Sequence, residues 1–191
     1  MVAVPTLVEE DAKRPSRERE NLVGEQTRLV NRLKAAFVRF GIRGFNPKHK
    51  MAAERLDALV TPEGESIAPN MLAEIKRDLE RRQIVKQQIA QIERARLDRL
   101  AAAPAEGASA MVRLLARVVG IGVETADMLV QEVLSRNMRD RRAVARYAGL
   151  TGSPDESGAK RREKGLARSG NARVRRGMIH IPVPLAQAVA G

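Results

Sequence analysis

NMLAEIKRDLERRQIVKQQIAQIERARLDRL, running from Asn70 to Leu100, decides the fold. Its apolar residues Leu72, Ile75, Leu79, Val85, Ile89 and Ile92 return mostly at steps of three and four. That spacing puts them on one face of a helix, whereas a half-buried strand alternates at every second residue. Asn70 stands where an N-cap belongs. A second stripe precedes it between Ser16 and Phe40, formed by Leu22, Gln26, Leu29, Leu33, Phe37 and Phe40 with Val30 and Ala36 beside them. GIRGFNPKHK (Gly41 to Lys50) and TPEGESIAPN (Thr61 to Asn70) interrupt the helices with Gly and Pro, leaving a short helical piece between them.

Neither stripe can be left in water. Packing against each other as an antiparallel coiled-coil hairpin covers both, and so does dimerisation through the same faces. AAAPAEGASA (Ala101 to Ala110) reads as a linker, and a compact unit is expected from Met111 onward. The expected layout is therefore an irregular N-terminus over 1–15, a helical hairpin over 16–100, a linker over 101–110, a basic helical domain over 111–180 and an irregular tail over 181–191. The fold class is mostly α, with a helix-hairpin-helix-like element in the second unit.

Composition narrows the function. The 191 residues are 43% hydrophobic but include only four aromatic side chains, Phe37, Phe40, Phe45 and Tyr147. A core of aliphatic residues follows. With no cysteine there are no disulfides and no thiolate metal sites, and His49 and His180 lie too far apart in sequence to suggest a zinc site. The N-terminus lacks a signal-peptide pattern, and no run approaches the ~20 apolar residues of a membrane span. A soluble cytoplasmic protein is expected.

The net charge is +12, which attracts polyanions and nucleic acid first among them. Between Leu134 and His180 stand 13 Lys and Arg against four acids, an excess of +9. The polyanion site is expected there.

LLARVVGIGVETADMLVQEV (Leu114 to Val133) reads as helix, Gly-Ile-Gly turn, helix. Gly120 and Gly122 would permit unusual backbone angles and leave amides open to a phosphate, and Thr125 would let the second helix start close to the first. A helix-hairpin-helix grips the DNA backbone in this way, and an ordinary connector uses a glycine C-cap in the same place. The turn alone balances the two readings; the basic segment beside it favours DNA. NMRDRRAVARYAGL (Asn137 to Leu150) reads as a short helix with Val144, Tyr147 and Leu150 inward and its arginines outward. Tyr147 is expected as a core ring with its hydroxyl at the surface.

AGLTGSPDESGAKRREKGLARSGNARVRR (Ala148 to Arg176) crowds glycine, serine and cations as a loop would. Serine attacks phosphorus when its deprotonation is eased and charge on the phosphoryl oxygens is neutralised. Ser157-Gly158, followed by Arg161, Arg162 and Arg168, has those ingredients; Ser153 and Ser169 have them less well. A cap or turn hydrogen bond is the ordinary use of a loop serine.

Pro154, Ser157, Gly158, Arg162, Gly165, Leu166, Arg168, Gly170, Asn171, Arg173 and Arg175 fall at the spacing found in the C-terminal domain of insertion-sequence transposases of the 110/116/902 type. The segment Glu10 to Ile42 also resembles the helical middle region of that family, whose members are DEDD-type transposases and bridge-RNA-guided recombinases. The resemblance implies DNA as partner, a guide RNA, Ser157 as the nucleophile, and magnesium held by acids of an N-terminal domain. Taken with the glycine turn and the basic segment, nucleic-acid contacts are expected at Gly120, Gly122, Thr125, Arg161, Arg162, Arg168, Asn171, Arg173, Arg175 and Arg176. No cofactor is expected in this chain, since nothing before Glu9 resembles the metal-binding domain, and the ending GMIHIPVPLAQAVAG departs from the family's long helix. A transposase remnant truncated at both ends is the expectation, with homo-oligomerisation through the coiled coil and no membrane contact.

Overall fold

The computed structural model describes residues 6–157, 160–166 and 170–179, and within them the chain is mostly helical. The elements are α1 (Leu7–Arg39), α2 (Pro69–Ala102), α3 (Gly107–Leu115), α4 (Val123–Leu129), a π-helical turn (Val130–Leu134), α5 (Arg141–Tyr147), strands β1 (Gly152–Ser157) and β2 (Lys160–Leu166), and α6 (Ala172–Ile179). Two compact units result: Arg17–Asp98, and Met1–Ser16 together with Arg99–Gly191. Among the described residues no helix is long and apolar enough to cross a membrane.

In the Arg17–Asp98 unit α1 and α2 run antiparallel. Arg19 bridges to Glu93 at 2.6 Å and Arg32 to Asp78 at 2.5 Å, so partner numbers fall along α2 as they rise along α1. The second pair is bidentate: Arg32 Nε and Nη2 each donate to one oxygen of the buried Asp78. That fork geometry fixes orientation as well as contributing energy. The core lies where the sequence stripes meet the connecting segment, in Leu33, Phe37, Ala52, Leu56, Ile67, Ile75 and Leu79. Phe37 and Phe45 stack with ring centroids 4.3 Å apart. Each large side chain buried here contributes about 1.5–3 kcal/mol.

Three local expectations are corrected along this stretch of the chain. The short helical piece after Lys50 is a succession of turns, with Ala52 N–H donating to His49 O and Leu56 N–H to Ala53 O. Three-residue steps of that kind arise where a helix has no length in which to repay its nucleation. Asn70 does not cap α2; Pro69 opens it, at the first helical position where a missing N–H costs nothing. Finally, α2 continues to Ala102 and α3 starts at Gly107, so only Ala103–Glu106 separates them.

The other unit begins with the first turns of α1, which is helical from Leu7 rather than irregular to residue 15. The cause is a capping box: Glu9 N–H donates to Thr6 Oγ1 at 3.2 Å, and Thr6 N–H donates back to Glu9 Oε2 at 2.7 Å. The Thr6 amide, and after it the Thr6 hydroxyl, donate to the Glu9 carboxyl and hold it below its usual range. Pro15 lies inside the helix, immediately before the boundary between the units.

Two small cores follow in this unit. Leu100, Val112, Ala126 and Val130 form the first, and Met128, Val133, Ala148 and Val174 the second. Asp127, 1% exposed, sits beside them and accepts from Ser16 Oγ at 2.6 Å and from Arg99 at 3.4 Å. A carboxylate this deep persists because its oxygens are met by donors.

Candidate nucleic-acid interface

The Ala148–Arg176 segment is not a loop. Its first half is an antiparallel β-hairpin, paired from Gly152↔Leu166 to Ser157↔Lys160, with a register shift between Gly152 and Pro154. The ladder sets Asp155 opposite Arg162 and Glu156 opposite Arg161. This composition hid the strand, because its sequence has no apolar alternation. Ser157 ends β1 at the tip.

The root of the hairpin is tightly built. Gly149 and Gly170 have positive φ angles of 65° and 103°. A Cβ at Gly170 would lie 2.6 Å from Tyr147 O and 2.9 Å from Arg146 O, so only glycine brings the two ends together. The Asn171 amide then donates to Tyr147 O at 2.6 Å. Thus the hairpin leaves α5 and re-enters α6 at one point.

Asn171 was expected to contact nucleic acid, and its side chain is otherwise engaged. Its Oδ1 accepts from the amides of Arg173 and Val174 at 3.0 and 3.3 Å, capping α6. Its Nδ2 donates to the Tyr147 hydroxyl at 2.8 Å and to Glu132 Oε2 at 3.4 Å. Arg173, also expected as a phosphate ligand, lies 3.7 Å from the buried Glu132 and ties α6 to the π-helical turn. Tyr147 packs in the second core as expected, but its hydroxyl serves Asn171 and its ring carries Arg136 at 4.7 Å.

The glycine turn is only partly as expected. Gly120 adopts a positive φ of 86°, a backbone that side chains rarely take. Gly122 does not: at φ −76° and ψ 165° it is the ordinary extended residue that begins α4. Nothing lies within 4 Å of its Cβ position, so the residue needs no glycine for space. The first amides of α4 lack intrahelical partners by their position, and Glu124 occupies that first turn while Thr125 is half-buried.

The arginines separate into two sets. Arg176 is exposed and Arg175 half-buried on α6, and Arg161 and Arg162 lie on β2. Arg168 lies outside the described residues, as do Gly158 and Ser169. Arg141, Arg142 and Arg146 on α5, absent from the expected contact set, are exposed. Asp140 starts that helix by accepting from Ala143 N–H at 2.7 Å, a bond that holds its carboxyl below the ordinary range. An N-cap Asp followed by arginines four apart was the available signal. Among the described residues no three His, Asp or Glu side chains converge to hold a metal ion.

Comparison with known proteins agrees with this layout. Residues 112–188 match the domain described as "Transposase IS116/IS110/IS902 family". The chain belongs to that transposase family. The matched stretch holds the glycine turn, α5, the hairpin and α6. Across 186 residues the chain is 39% identical to "Putative transposase y4rJ" of Sinorhizobium fredii (strain NBRC 101917 / NGR234), covering 94% of this chain and 47% of that protein. It thus spans about half the length of this curated transposase. No solved structure matches.

Proposed function

We propose that this transposase-family chain binds DNA through the exposed arginines of α5, the β2 arginines and Arg176, and that Ser157 is the nucleophile of DNA strand transfer. The observation that carries the reading is the family domain itself, which spans residues 112–188 and includes Ser157 at the end of β1. Gly170 and Asn171 tie the end of the segment that bears Ser157 back to Tyr147, and an attacking hydroxyl gains from such restricted placement. Guanidinium groups neutralise the negative charge that such an attack builds on the phosphoryl oxygens. The family resemblance further suggests a guide RNA, and magnesium held by another domain. The described residues do not form such a metal site, so no step is assigned to a metal here.

A second reading, non-enzymatic nucleic-acid binding, is favoured by the exposure of Arg141, Arg142 and Arg146 on a helix that does not carry the serine. Supplying this chain with the metal-binding domain of a relative, guide RNA, DNA and magnesium distinguishes the readings. The Ser157→Ala variant should then lose strand exchange while retaining DNA affinity, since it removes an attacking atom and no charge. Strand exchange that survives the substitution assigns the nucleophile elsewhere.

A further inference from the structure

The core of the Arg17–Asp98 unit gives way to charge along its helices. The inward positions of α2 repeat every seven residues as Ile75, Arg82, Ile89 and Arg96, and those of α1 as Arg19, Gln26 and Leu33. A hydrophobic seam with this repeat would carry aliphatic residues throughout. Arg82 breaks it: the residue is 8% exposed, and its Nε is buried without a hydrogen-bond partner.

Arg82 lines a cavity of about 460 Å³ with Arg19, Gln26, Lys48, Lys86 and Glu93. Four cations therefore face one carboxylate, and Glu93 is already held by Arg19 Nε at 2.7 Å. Lys48 and Lys86 are exposed and make no ion pair with another described residue. A guanidinium cannot shed its proton, and a buried donor without an acceptor is costly. An anionic oxygen in the cavity lies beside the Arg82 guanidinium and is met by the two lysines.

We propose that this cavity takes a backbone phosphate of a nucleic acid, so that the chain has a second anion site apart from the basic Leu134–His180 segment. A phosphate brings several acceptor oxygens to the guanidinium fork. Lys48 and Lys86, exposed beside it, continue the positive field outward, as a neighbouring phosphate on the same strand requires and a free ion does not. The site does not depend on Ser157 or on strand transfer.

The test uses the full chain with three probes: inorganic phosphate, a single-stranded RNA and a duplex DNA. Lys48→Gln/Lys86→Gln changes only exposed side chains, so folding should be preserved. For at least one nucleic acid it should reduce the salt slope by roughly 1.4–1.8, two contacts at about 0.7–0.9 each. The nucleic acid that responds identifies the source. The Arg82 Nε–H resonance, assigned by its absence in Arg82→Lys, should shift on adding that nucleic acid to the unaltered protein. Unchanged slopes for both nucleic acids overturn the proposal. So does a resonance that responds to inorganic phosphate alone.

Discussion

Asn171 Nδ2 donates to the Tyr147 hydroxyl at 2.8 Å, while the Asn171 amide donates to the Tyr147 carbonyl at 2.6 Å. Two bonds of different kinds thus join the last residue of α5 to the residue that caps α6. Asn171→Ala removes the cap and the side-chain bond, and should cost about 2 kcal/mol in urea unfolding, roughly one for each. Tyr147→Phe should cost about 1 kcal/mol. In the double variant the two losses should add to less than their sum, because they share one hydrogen bond. Full additivity would show that the side-chain bond contributes nothing.

Gly170 and Gly122 should respond differently to alanine. At Gly170 a methyl group meets the Tyr147 carbonyl at 2.6 Å, with φ at 103°. Gly170→Ala should destabilise the protein by about 3 kcal/mol or prevent its folding. Gly122→Ala should instead change stability by less than about 1 kcal/mol, since its backbone is ordinary and the space is open while alanine is the poorer N-cap. Thermal unfolding of the two variants side by side checks the pair.

Asp127 is the buried acid that joins the start of α1 to α4 and the end of α2 within one unit. Asp127→Ala leaves the Ser16 hydroxyl and Arg99 without this acceptor, and about 3 kcal/mol should be lost. Asp127→Asn keeps the shape and one acceptor oxygen, so its loss should be smaller. A chemical-denaturation series measures both. Equal losses would show that the charge, rather than the geometry, is what Arg99 and Ser16 require.

Glu9 and Asp140 each accept backbone amides at a helix start, and each has its carboxyl pKa lowered chiefly by that hydrogen bond. A lowered folded-state pKa contributes stability above the ordinary carboxylate range and loses it as pH falls through the folded value. Helix content should therefore decline below about pH 4, starting at the capped ends. Circular dichroism against pH would show this. Asp140→Asn, which still caps but does not titrate, should remove its share of the acid dependence.

The long helices were legible because apolar residues recur at helical spacing over several turns: Leu33, Phe37, Ile75 and Leu79 are all in the core that the spacing indicated. The β-hairpin was not. Strands are recognised by an apolar face, and β1 and β2 carry acids, arginines and glycines instead. Their match shows only when Asp155 and Glu156 are laid against Arg162 and Arg161, a register that spacing along the chain does not display. The intramolecular partners of Asn171 and Arg173 were not legible either: a cap and an ion pair to Glu132 use the residue types that nucleic-acid contacts also use, and these partners emerge only in the fold.

The pinned root at Gly170 also makes the hairpin an exchangeable cassette. A segment whose ends already touch adds little to the entropy of closing the chain, and doubling its length costs only about 0.6 kcal/mol. The helices to either side do not need a particular tip in order to meet, because the Asn171 amide and the Tyr147 carbonyl join them regardless. Lengthening, shortening or recharging the arm that bears Ser157 would therefore leave the join between α5 and α6 unchanged.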